Sequence, residues 1–190
     1  MPRSAFVTGP CILALALAFP VAAQHRLLVL NKADHTMSVV DPATMKVTGT
    51  IAVGRGPHEV TTSADGKTAY VANYGDQQPN NSLSIVDLAT LKETKRVDLG
   101  ALARPHGIAE NGGRIYFTSE ATRTIARYDP AADKVDWIAG TGQAATHMLA
   151  VARDGKRYRS LGDADITFPV ESNAATIDEI IAELDVTKVS

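Results

Sequence analysis

Short apolar runs rich in β-branched residues, separated by polar turns, mark most of this chain. LLVLN (27–31), SVVD (38–41), HEVTTS (58–63), TAYVANYG (68–75), SLSIVDL (82–88), ETKRVDL (93–99), IYFTS (115–119) and ARYD (126–129) are all of this kind. Each is bounded by Gly, Pro, Asn, Asp or a similar turn former, which predicts strands joined by tight turns. One segment breaks the pattern. ATIDEIIAEL (175–184) places Ile177, Ile180, Ile181 and Leu184 at helical spacing, with Thr176 or Asn173 as the cap.

The runs recur in a fixed order. SVVDPAT, SIVDLAT and ARYDPAA put Asp41, Asp87 and Asp129 at spacings of 46 and 42 residues. LLVLN, AYVAN and IYFTS form a second series. The turns SADGK (63–67), ENGGR (110–114) and ARDGK (152–156) form a third, and His58, His106 and His147, spaced by 48 and 41 residues, a fourth. Four markers in one order mean tandem units rather than chance likeness between strands. The complete second unit reads as four strands, with a D-G hairpin turn at Asp65-Gly66. Four strands per unit at this period predict the blades of a β-propeller. The aspartates, each ending a third strand, are expected to accept hydrogen bonds from the following turn amides. Asn31 and Asn73 are expected to do similar work at strand ends, with Ser119 in their place in the third unit.

YVAN, the DGK turn and VVDPAT resemble the YVTN β-propeller repeat family, over roughly residues 26–157. The resemblance implies an all-β fold: a partial or truncated propeller of about three four-stranded blades, followed by a C-terminal helix. The first unit starts at its second strand, and THMLAVA (146–152) is the spare inner strand. Three blades lie below the usual range for a closed ring, so an open arc is expected, whose free edges favour self-association. A truncated gene, leaving an inactive fragment of a longer propeller, is an alternative origin. The domains expected are a signal peptide (1–23), the blades (24–160) and a non-repeat tail with a short helix (161–190).

The start of the chain sets a compartment. Arg3, the apolar run CILALALAF and Val21-Ala22-Ala23 make a secretory signal with cleavage after Ala23. The expectation is therefore a periplasmic or secreted protein with no membrane span after cleavage. The lone cysteine, Cys11, falls within the signal, so thiolate metal sites and disulfides are excluded from the mature chain. Hydrophobic residues make up 45% of the chain and aromatics only 5%, a balance suited to many short strands. The net charge of −2, from 19 basic and 21 acidic residues without a basic run, gives no reason to expect a nucleic-acid partner.

Candidate chemistry centres on the three repeated histidines. First strands line the hub of a propeller, so His58, His106 and His147 are expected on one face near the channel mouth. Converging imidazoles suit a divalent metal, an anionic ligand or proton transfer. Arg55 and Arg104 would add positive charge to that rim, and Glu59 would orient an imidazole or act as a ligand. The plainer reading keeps each His as a turn or loop residue repeated by duplication, and both stay open. His25 and His35 lie outside the pattern and are expected on the surface. The loop insert Gln77–Asn81 is a second, weaker contact site. The function expected is an exported binding module whose ligand, a small molecule or a protein, is not named by the sequence. The resemblance also extends to metal-dependent propeller lactonases and to the haem-binding propeller of nitrite reductases. No G-x-S-x-G, Ser-His-Asp or C-x-x-C-H arrangement occurs to support a catalytic role, and whether the chain is an enzyme stays open.

Overall fold

The computed structural model describes residues 25–151 and, beyond them, a strand pair at 158–159 and 170–171. Every regular element among the described residues is a β-strand, and none is a helix of the kind that crosses a membrane. The first sheet has three antiparallel strands, β1 (Leu27–Asn31), β2 (Thr36–Asp41) and β3 (Lys46–Ala52), in that order. The second has four: β4 (Pro57–Thr62), β5 (Thr68–Gly75), β6 (Pro79–Asp87) and β7 (Lys92–Asp98). The third repeats the meander with β8 (Pro105–Asn111), β9 (Arg114–Ser119), β10 (Thr124–Asp129) and β11 (Lys134–Gly140). β12 (Tyr158–Arg159) pairs with β13 (Val170–Glu171). The signal segment and the helix expected at 175–184 lie outside the described residues.

Blade two is buried on both faces, and its sequence shows why. Along β5, Ala69 and Val71 join a core with Met37, Val39, Ile51 and Val53 of blade one. The intervening Tyr70 and Ala72 join a second core with Ile115, Phe117, Ala126 and Tyr128 of blade three. The period-two alternation of a strand thus feeds two interfaces from one segment. β6 does the same, with Leu83 in the second core and Val86 in the first.

The recurrent aspartates behave as expected. Asp41, Asp87 and Asp129 accept from the backbone N–H of Ala43, Ala89 and Ala131 at 2.9, 2.7 and 2.9 Å. The asparagines differ from expectation. Asn31 and Asn73 donate sideways to hydroxyls on the next strand, Thr36 and Ser38 for Asn31, Ser82 and Ser84 for Asn73. Two further expectations are corrected. Pro79, Asn80 and Asn81 are not loop but the start of β6, with Gly75 paired to Pro79. The spare segment from Thr146 to Val151 forms no strand. It lies against β8 instead, where Gly107 N–H donates to the His147 carbonyl at 3.0 Å.

Candidate functional site

The two complete blades begin their inner strands in the same irregular way. In β4 the pairing with β5 runs Pro57 to Asn73 and then Glu59 to Ala72, leaving His58 as an extra residue. In β8 it runs Pro105 to Ser119 and then Ile108 to Phe117, leaving His106 and Gly107 outside the ladder. A bulge frees a residue from the alternation and re-aims its side chain. Here it turns an imidazole in each blade toward the neighbouring blade. The third imidazole is set by its own carbonyl, which accepts from Gly107 N–H and from the Thr118 hydroxyl at 2.6 Å.

The three rings meet. The centroids of His58 and His106 are 4.0 Å apart, and those of His106 and His147 are 3.8 Å apart, with tilts of 45° and 42°. His106 is the enclosed member, 3% exposed, and its Nδ1 has no hydrogen-bond partner among the described residues. Burial, with His58, His147 and Lys32 nearby, lowers its pKa from the usual 6.5 to about 3. It is therefore a neutral imidazole at ordinary pH. Glu59 Oε1 stands 3.8 Å from His58 Nδ1. Donor atoms of His58, Glu59 and His106 all lie within 4.8 Å of one another. His147 stacks on His106 but is not a member of that close donor set.

A second row of residues flanks the first. Tyr74 contacts His58 at 5.1 Å and meets His106 edge-on at 5.4 Å between ring centroids. Its hydroxyl donates to Glu120 at 2.7 Å, while Lys32 and Arg104 lie 4.9 and 4.7 Å from its ring centroid. Burial and then the Glu120 bond push the Tyr74 pKa up. Lys32, Tyr74 and Glu120 each follow the Asn31, Asn73 and Ser119 marker of their unit. Sequence reasoning missed this row because its three members share position but not chemistry. The residue after each marker was the available signal.

The arginines separate. Arg104 lies over Tyr74, next to the stack. Arg55 turns outward, donating to the Pro79 carbonyl at 3.2 Å and facing Asp76 at 3.8 Å. His25 is exposed, as expected. His35 is half-buried rather than a plain surface residue, and its Nδ1 accepts from Gly56 N–H at 3.1 Å. The same nitrogen lies 3.1 Å from the Lys32 carbonyl. The Gly56 bond ties the β1–β2 turn to the loop that carries His58. Gly56, at φ 62°, lies so close to Gly75 that a Cβ would collide with its backbone. Tyr74 and Gly75 N–H both donate to the Gly56 carbonyl, which fixes Tyr74 against the histidine loop.

Comparison with known proteins places this geometry in a family context. Residues 4–178 match the family described as YNCE-like beta-propeller. No curated protein matches the chain. Among solved structures, hydrazine synthase of Kuenenia stuttgartiensis is similar at 27% identity and a TM-score of 0.61. The alignment covers 69% of this chain and 37% of that one, so this chain spans little more than a third of that relative. The dihydro-heme d1 dehydrogenase NirN, solved in complex with DHE, aligns at 14% identity and a TM-score of 0.48 over 55% of this chain and 23% of that chain.

Proposed function

The chain belongs to the YNCE-like beta-propeller family, and on that premise we propose an exported binding module that takes a small ligand where His58, His106 and His147 meet. One observation carries the reading. Three residues from successive units lie ring on ring, and the enclosed one has a ring nitrogen bonded to nothing among the described residues. A buried polar atom left unsatisfied costs roughly 1–3 kcal/mol, so such an atom in a cluster of like groups is a mark of a site. Packing alone would favour apolar residues there. Export to the periplasm or beyond rests on the leader-like residues 1–23.

The test is a set of imidazole nitrogen NMR spectra of the full chain, recorded with zinc ion, inorganic phosphate or gluconolactone. At least one probe is expected to shift His58, His106 and His147 together while leaving His25 and His35 in place. If no probe moves the three, or if binding registers only at other residues, the reading is wrong.

A further inference from the structure

We propose that His58, Glu59 and His106 hold a divalent transition-metal ion of the zinc or copper class, with His147 packing against the ligand ring rather than binding. This rests on the hub-face binding reading above and names its ligand. Three observations lead to it. The donors converge, with all three within 4.8 Å of one another. The most enclosed donor is already oriented, because His106 is in ring contact with both other histidines and its Nδ1 has no hydrogen-bond partner among the described residues. The donor types are two imidazoles and a carboxylate without thiolate, a set that suits zinc, copper or nickel better than magnesium or calcium, which prefer oxygen-rich sites.

The geometry also shows what must move. Donors around a tetrahedral ion with bonds of about 2.0–2.1 Å stand roughly 3.4 Å apart. His58 and Glu59 are half-buried neighbours and can close the remaining distance by side-chain rotation, while His106 stays fixed. An anion is the weaker candidate for the stack itself, because a neutral imidazole offers a lone pair to a metal and no positive charge to an anion. Three protein donors leave a coordination position for water or a further ligand.

The experiment is a zinc titration of the EDTA-treated, dialysed full chain by calorimetry, with cobalt substitution to read coordination from visible absorption. One ion per chain is expected, with the absorption of a nitrogen- and oxygen-ligated site. His106→Ala and Glu59→Gln should each weaken binding by about tenfold or more, whereas His147→Phe, which keeps a stacking ring, should change it only a few-fold. Circular dichroism establishes that each variant is folded, and Glu59→Gln, nearly isosteric and half-buried, keeps the test available if His106→Ala fails to fold. Absence of saturable zinc binding in folded protein overturns the proposal, as does a Glu59→Gln variant that binds like the parent. If phosphate or gluconolactone shifts the three imidazoles and zinc does not, the metal is wrong and the binding reading stands. If no probe shifts them, both fall.

Discussion

An imidazole pressed between two others holds a proton poorly, and His106 shows the consequence. His58 and His147 face it from either side, Lys32 adds positive charge, and Tyr74 meets it edge-on. Its pKa falls to about 3, while the unfolded chain keeps the ordinary 6.5. Between those values the unfolded state binds the extra proton, so acid favours unfolding. In metal-free protein this group's effect on stability is therefore flat above about pH 6.5. It declines below that value by up to about 1.4 kcal/mol per pH unit. Urea unfolding across that range measures the slope. His106→Gln should flatten it, and an unchanged slope in the variant would show that other groups carry the acid sensitivity.

A turn and a bulge recur at the scale of the single element. Met45, Leu91 and Asp133 each sit four residues after the Asp that ends a third strand, and all have φ between 54° and 56°. A left-handed conformation costs a side-chain-bearing residue roughly 1–2 kcal/mol, partly offset by the greater unfolded-state freedom that glycine brings. Met45 is 70% exposed and gives up almost no packing, so Met45→Gly should stabilise the protein by about 0.5–1 kcal/mol in a denaturant titration. Leu91→Gly should do the opposite, since Leu91 packs on the core between blades one and two. The outer strands carry the bulge: pairing skips Thr48, Thr94 and Asp136 in turn. Thr48 and Thr94 hydroxyls donate to the carbonyls of Val39 and Ile85, both at 3.1 Å. The Asp turns were legible because a short acceptor before a turn has one obvious partner. The outer bulges were not, since Thr94 reads like any strand residue and only the pairing register exposes it. Likewise the meeting of the three histidines followed from repeat symmetry, but the role of Tyr74 did not. Its counterparts, Lys32 and Glu120, are different residue types, and a search for repeated letters passes over them.

At the scale of the molecule, the described blades pack on their neighbours through shared apolar cores. Blade two contributes to both cores, and blades one and three to one each. The period of the markers made this arrangement readable in advance, because equivalent segments of a radial repeat stack on one another. Which apolar residue faces which neighbour needed the register, since Tyr70 and Val71 look equally suited to either side. Stability in such arrays approximates a sum of units and interfaces. A cavity should therefore act locally. Leu83→Ala, in the core shared with blade three, should cost about 2–5 kcal/mol and speed amide exchange in β8–β11 more than in β1–β3. Met37→Ala, in the core shared with blade one, should reverse that order and speed β1–β3 more than β8–β11. Hydrogen exchange read strand by strand separates the two. Equal acceleration across all three sheets by both variants would mean that the blades unfold as one unit, and that the interfaces do not act independently.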